Sequence, residues 1–381
     1  MTAADDGLGP LAALVSPPLR GANAYHVPTP AGIDAKLDAN ELGIALPPEL
    51  AAGLAGALAA LPIHRYPDAQ ASALRARLAA RHAVASDRLV LGNGSDELIA
   101  LLVEAFAAPG PGQDQAGVAF PTPSFVYYRL ACAARGVRAI ELPLGPRWQL
   151  DPAMVAATVA ATRPNLAFFA VPNNPTGTLW PLADVVALAA AHPELLVVAD
   201  EAYQAYSGVT VLPEVVAGTA PPNLVVMRTL SKIGMAGLRV GYLVASPAIA
   251  AVLERVRPPY NLGSPAQAAA CWMLDHAQPW IDARCAEIVA ERARMITALR
   301  ALPDLEVFDS AANLVLVRVG QAGDGRASAA WRALVAAGVL VRTFDRPGDP
   351  HAPLSGCLRI TVGTTAETDR VVATLARFLR P

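Results

Sequence analysis

Seven short apolar runs, separated by helix-like stretches, constrain this chain more than anything else in it. They read RLVLGN (88–93), GVAFP (117–121), RAIELPL (138–144), NLAFFAVP (165–172), LLVVAD (195–200), NLVVMRT (223–229) and RVGYLVAS (239–246). Short β-branched and aromatic runs alternating with helices predict an α/β domain, a three-layer α/β/α sandwich around a mostly parallel sheet. The last two runs lie too close for a crossover helix, so one of them is antiparallel or they are not neighbours. Before this region, 48–90 is helical in pattern, broken at LPIHRYPD, and the first 35 residues or so form an arm rich in Pro, Gly and Ala. After about 250 the pattern changes. A helical stretch runs from Ser264 to about Leu302, then strand-like LEVFDS, NLVLVRV and CLRITVG mix with two helices. The predicted division is an arm over 1–47 that partly joins the small domain, a large domain over 48–262, and a small α+β domain over 263–381. A length of 381 residues suits two domains at roughly 100–200 residues each.

Composition narrows the function classes. The net charge of −2 and the low charged fraction give no basic face for nucleic acid. No apolar run reaches the roughly 18 residues of a membrane span, and the N-terminus lacks the pattern of a secretory signal. Cys132, Cys271, Cys285 and Cys357 are too scattered for a metal pair or a disulfide scaffold, so a cytoplasmic protein without a metal is expected. The 30 basic residues comprise 28 arginines and two lysines, Lys36 and Lys232. Arginine replaces lysine as a surface cation but not as a nucleophilic amine, because guanidinium stays protonated. A surviving lysine is therefore a candidate for chemistry.

In open α/β sheets ligands gather at the carboxyl ends of the strands. RLVL is followed by Gly92-Asn93-Gly94-Ser95-Asp96-Glu97 and a helical run, a possible phosphate cradle of free backbone N–H groups, with Ser95 or Asp96 as helix cap. An ordinary strand–turn–helix junction reads the same way. LAFFAVP leads into Asn173-Asn174-Pro175-Thr176-Gly177, either a plain turn or an amide facing a ligand oxygen. LLVVA ends in Asp200-Glu201-Ala202-Tyr203. A carboxylate at a buried strand end needs a cation or donor, and a pyridinium N–H would serve, as would a helix-capping role. NLVVM leads to Ser231-Lys232, with Arg239 seven residues on, so that Ser231 and Arg239 could share one phosphate. A phosphate cradle, an amide, a carboxylate and an amine together describe one ligand, pyridoxal 5'-phosphate (PLP), usually held as a lysine imine with an aspartate opposite the ring nitrogen.

The ordered motifs NGSDE, NNPTG, DEAY, TLSK and AGLRVGY resemble those of the fold-type I, class I/II PLP aminotransferases, over nearly the whole chain from KLDANE to CLRITVGT. Within them the chain is most similar to the histidinol-phosphate aminotransferases. The resemblance implies that Lys232 carries the cofactor and shuttles the proton, and that Asp200 pairs with the ring nitrogen. Asn174 and Tyr203 would donate to the phenolic oxygen. Gly94, Ser95 and Asp96 would cradle the phosphate with Ser231 and Arg239. It makes Tyr128, or the adjacent Tyr127, the aromatic stacked on the ring. Tyr66 in HRYPD matches a tyrosine that reaches the neighbouring subunit's phosphate, which implies a homodimer with its active sites at the interface. Toward the substrate it points to Tyr25, Asn40, Arg342 and Arg359, the arginines forming an anion clamp for both a phosphate ester and glutamate. The sequence departs from the pattern where KLDANE continues as LGIALPPEL instead of an Asn-Pro pair, and where Lys232 and Arg239 lie one residue closer together than in many relatives. An aromatic aminotransferase, a threonine-phosphate decarboxylase-like enzyme and a ligand-sensing PLP domain of a regulator are the competing readings. The last normally carries a DNA-binding domain, and no basic helix-turn-helix is visible here. The six histidines have no role in the expected chemistry.

Overall fold

The computed structural model describes residues 8–15, 17–20, 30–349 and 351–380. Twelve strands occur among them: β1 (Ala35–Leu37), β2 (Leu89–Asn93), β3 (Gly117–Thr122), β4 (Arg138–Pro143), β5 (Leu166–Ala170), β6 (Leu196–Asp200), β7 (Leu224–Thr229), β8 (Val240–Val244), β9 (Leu305–Val307), β10 (Leu314–Val319), β11 (Val339–Thr343) and β12 (Cys357–Thr361). The seven apolar runs are β2 to β8, joined in one sheet of order β2-β8-β7-β6-β5-β3-β4. Pairs from β4 through β7 are parallel, while β8 runs antiparallel to both neighbours, β2 and β7. The short connection between the last two runs thus makes an antiparallel neighbour, not a distant strand. It turns through Gly234 at φ 91°, a left-handed conformation that glycine adopts without steric cost.

The central strands are apolar throughout because helices cover both faces of the sheet. Every residue of β5 and β6 is buried, Asp200 included. On β5 the neighbours Phe168 and Phe169 point into different cores, one on each side of the sheet. Each such side chain stabilises the fold by about 1.5–3 kcal/mol on burial.

The second sheet has the order β1-β11-β12-β10-β9 and is antiparallel except where β1 pairs parallel with β11. The N-terminal segment is thereby tied to an element 304 residues later (Ala35 opposite Val339), and residues 38–42 are carried toward the carboxyl ends of the large sheet. The helical stretch after Ser264 is two helices, Ser264–His276 and Gln278–Arg300. They meet at Ala277 (φ −105°, ψ 1°), and Pro279 opens the second helix, where its missing N–H costs nothing. No helix among the described residues is long and apolar enough to cross a membrane.

Candidate active site

One pocket lies at the carboxyl ends of β5, β6 and β7, closed by the first turn of the helix Gly94–Phe106. Ser95, Asp96, Phe125, Asn174, Asp200, Tyr203, Ser231, Lys232 and Arg239 are among its lining residues. Sequence positions spread over 145 residues converge there because parallel strands deliver all their exits to one edge.

Lys232 sits just past β7, half-buried, with Nζ donating to the Ala39 carbonyl at 3.1 Å. Burial, and then the Arg359 guanidinium, push its pKa down to about 8. Tyr206 anchors the backbone here by donating its hydroxyl proton to the Lys232 carbonyl. Asp200, the last residue of β6, has its carboxylate fully enclosed. Burial raises its pKa to about 6, against two donors that favour the anion. The Tyr128 hydroxyl lies 2.6 Å from Oδ2, and the Ala202 N–H 3.1 Å from Oδ1. The second bond makes the local turn that lets Asp200 end the strand.

On the opposite wall, Arg359 donates to Asn174 Oδ1 at 2.7 Å and to the Asp38 carbonyl. With its oxygen engaged, the Asn174 amide presents Nδ2 as a donor. The Tyr203 hydroxyl accepts from Asn40 Nδ2 at 2.8 Å, which leaves its proton to donate elsewhere. Burial holds that proton, raising the Tyr203 pKa to about 12. Asn40 is itself buried and left-handed (φ 54°), a conformation its short polar side chain tolerates. Its N–H donates to Thr361 Oγ1 at 2.9 Å and its carbonyl accepts from Asn313 at 3.1 Å.

The phosphate-cradle motif forms the third wall. Gly94 has φ 76°, and a Cβ there would lie 2.5 Å from the Arg239 guanidinium. Arg239 bridges Ser231 Oγ at 3.3 Å and Asp96 Oδ2 at 3.1 Å. The helix start places backbone N–H groups and the positive end of the helix dipole at the same spot. Neither Ser95 nor Asp96 caps this helix. Both sit in its first turn, and it is Glu97 that accepts from the Asn93 N–H, at 2.7 Å.

Some expected residues are placed elsewhere. Tyr128 does not present its ring to the pocket. It is fully buried, stacked on Phe168 at 4.7 Å, and only its hydroxyl reaches Asp200. Phe125, three residues earlier, lines the pocket instead, and Tyr127 does not line it either. The offset arises because the helix Val126–Arg135 starts just after Phe125, turning Tyr128 under the sheet. Tyr66 is 82% exposed and stacked on Tyr260, away from this pocket. Arg342 lines an adjoining cavity with Ser124, Phe125, Arg129 and Phe344. It stands directly opposite Arg359 across β11 and β12. Tyr25 lies outside the described residues.

Sequence reasoning missed a buried set next to Asp200. Glu201, its carboxylate shut off from solvent, pairs with Arg228 at 2.7 Å and accepts from Thr210 and the Val211 N–H. An acid and a base at corresponding ends of β6 and β7 were the available signal.

Comparison with known proteins bears on this geometry. The family aminotransferase class I and II matches residues 33–375. Histidinol-phosphate aminotransferase 2 of Bordetella parapertussis is 42% identical over 370 residues, 97% of each chain. Histidinol-phosphate aminotransferase of Chromobacterium violaceum is 40% identical over 366 residues, 96% of this chain and 98% of that one. Among solved structures, histidinol-phosphate aminotransferase of Sinorhizobium meliloti in complex with pyridoxal-5'-phosphate superposes with a TM-score of 0.80 at 28% identity, over 91% of both chains.

Proposed function

Because the chain belongs to the class I and II aminotransferases, we propose that it transfers the amino group of histidinol phosphate to 2-oxoglutarate, giving imidazole-acetol phosphate and glutamate, with PLP as cofactor. The observation that carries this reading is the convergence of Lys232 and Asp200, an amine and a buried acid, on one cavity whose Asn174 wall is held from behind by the Arg359 guanidinium. The curated relatives named for that substrate, at 40% identity or above over nearly their whole length, supply the choice of amino donor.

The residues fit the cofactor group by group. Gly94, Ser95, Asp96, Ser231 and Arg239 form a cradle for its phosphate, at a helix start that a Cβ on Gly94 would obstruct. The enclosed carboxylate of Asp200 calls for a cationic partner, which a protonated ring nitrogen provides. Asn174 Nδ2 and the Tyr203 hydroxyl are donors suited to the phenolic oxygen, and Phe125 offers an aromatic wall for the ring. When bound, PLP supplies an aldehyde that links to amines and a protonated ring that withdraws electrons from the reacting carbon.

The protein's own groups then have distinct tasks. Lys232 holds the cofactor and, once released, moves the proton. Its lowered pKa leaves an appreciable neutral fraction near pH 7.5, which a general base requires. Asp200 keeps the ring nitrogen protonated. Arg359 orients the anionic end of the substrate through two parallel N–H donors. Arg342 and Asn40 complete that end. The two substrates use the same site in turn, giving ping-pong kinetics.

Tyr66 and Tyr260 form an exposed stack near the exposed Ile63, which supports the further proposal of a homodimer in which Tyr66 reaches the neighbouring subunit's cofactor phosphate. The cytoplasm is its proposed location. The test is a steady-state assay of purified holoenzyme on histidinol phosphate, phenylalanine and threonine phosphate. Histidinol phosphate is expected to give the highest kcat/KM with 2-oxoglutarate. No turnover with it, or carbon dioxide release from threonine phosphate, would end the substrate assignment.

A further inference from the structure

Arg342 and Arg359 are direct cross-strand partners in an antiparallel pair. Two guanidinium groups in that relation repel one another, and like charges placed opposite destabilise a sheet. The strand pleat brings Phe344 to the same face as Arg342, because side chains two residues apart share a face. The pairing continues to that point, with the Phe344 N–H donating to the Cys357 carbonyl at 3.0 Å. The Arg342 guanidinium carbon lies 5.9 Å from the Phe344 ring centroid, and that of Arg359 lies 6.0 Å from the same centroid. One aromatic ring therefore lies within reach of both cations. Its own position is fixed from behind, where it packs against the cluster of Trp148, Phe308, Leu316 and Cys357.

We propose that Phe344 is a specificity-determining positioning residue, which holds the Arg342 and Arg359 guanidinium groups side by side so that one pocket accepts both a phosphate monoester and a dicarboxylate. The inference rests on the proposed substrate pair and adds the element that lets one clamp serve two anions. The ring quadrupole attracts both guanidinium groups within about 6 Å, offsetting their mutual repulsion while no anion is bound. An incoming anion then meets a fork already assembled, so less ordering has to accompany binding. Arg359 also donates to Asn174 and to the Asp38 carbonyl, and Arg342 lines the adjoining cavity. Phe344 lines that adjoining cavity, and Arg359, within reach of its ring, connects through Asn174 to the pocket that holds the reacting groups.

The experiment compares holoenzyme carrying Phe344→Leu and Phe344→Tyr with the parent. Leucine keeps an apolar side chain but removes the π face, and tyrosine restores that face. Steady-state constants are measured for histidinol phosphate and for glutamate, and inorganic phosphate is tested as a competitive inhibitor. For Phe344→Leu, KM for both substrates and the inhibition constant for phosphate should rise about 5- to 20-fold, with kcat changing far less. Phe344→Tyr should stay within about twofold of the parent. Unchanged KM values in Phe344→Leu, or equal losses in the two variants, would overturn the proposal, since either outcome leaves only a packing role. If the parent enzyme does not turn over histidinol phosphate, the substrate assignment fails by itself. The glutamate and phosphate measurements still decide the role of Phe344.

Discussion

Substituting Tyr128 by phenylalanine isolates one hydrogen bond at the most enclosed charge of the site. The variant keeps the ring stack on Phe168 and loses only the hydroxyl 2.6 Å from Asp200 Oδ2. Asp200 stands at about 6 because burial outweighs that hydroxyl and the Ala202 N–H. A hydrogen bond to a charged group contributes about 1.5–3 kcal/mol, and one pKa unit corresponds to about 1.4 kcal/mol. The Asp200 pKa should therefore climb by about one to two units, to roughly 7–8. At pH 7 its ionised fraction in the cofactor-free protein would drop from about nine-tenths to between about a half and a tenth. A cofactor that pairs with the ionised form then binds about two- to nine-fold more weakly at pH 7, and nearly as well as to the parent at pH 9. Absorbance titration of cofactor-free protein with PLP across pH 6.5–9 measures that ratio. The sign extends to folding. The Asp200 pKa in the folded protein lies above the unfolded 3.8, so the folded state keeps a proton that the unfolded chain has already released. Stability of the cofactor-free protein accordingly falls as pH rises from about 3.8 to about 6, by about 3 kcal/mol, and stays low above it. In Tyr128→Phe the decline should continue upward to pH 7–8. A ratio of affinities that is unity at pH 7, or equally raised at pH 7 and pH 9, would refute the idea that Tyr128 acts through the ionisation of Asp200.

Lys232 predicts a second pH profile: cofactor-free protein should react with free pyridoxal at a rate that rises with pH, is half-maximal at about 8 and levels off about one unit higher, followed by imine absorbance. A plateau reached only above pH 10 would contradict a buried, depressed amine, and Lys232→Arg should show no imine absorbance and no turnover while keeping its circular dichroism. Breaking the enclosed pair by Glu201→Ala should cost about 3–5 kcal/mol of unfolding free energy in urea, because Arg228 is left without its buried counter-charge. A loss under about 1 kcal/mol would mean that solvent reaches Arg228.

The large sheet was legible because burial on both faces writes its strands as uninterrupted apolar runs, and the run boundaries match β2 to β8 to within a few residues. Chain direction was legible only through spacing. The loop from Lys232 to Arg239 is too short for a crossover, and β8 duly turns back on β7. What the pattern hid was the break at Ala277, because that residue alone separates the two helices. Pro279 was the only mark of a new start.

At the site, legibility followed the same physics. Groups that exit directly from strand ends, Asp200 and Lys232, or that follow within a tight turn, Asn174 and Arg239, could be placed from sequence, because parallel strands share one exit edge. Groups whose direction depends on a helix phase could not. Phe125 and Tyr128 lie three residues apart across a helix start, and a helix start is the least determined boundary in a sequence. The pocket gains from that phase, for it sets an aromatic wall at the cavity and a hydroxyl beneath the buried carboxylate from one four-residue segment. The anion-binding end was harder still. Its geometry depends on pairing in the second sheet, where β1 joins β11 and Arg342 falls opposite Arg359. No local pattern encodes that register. Phe344 thus reads as one more apolar residue in the sequence, and its closeness to both cations follows only from the alignment of β11 with β12.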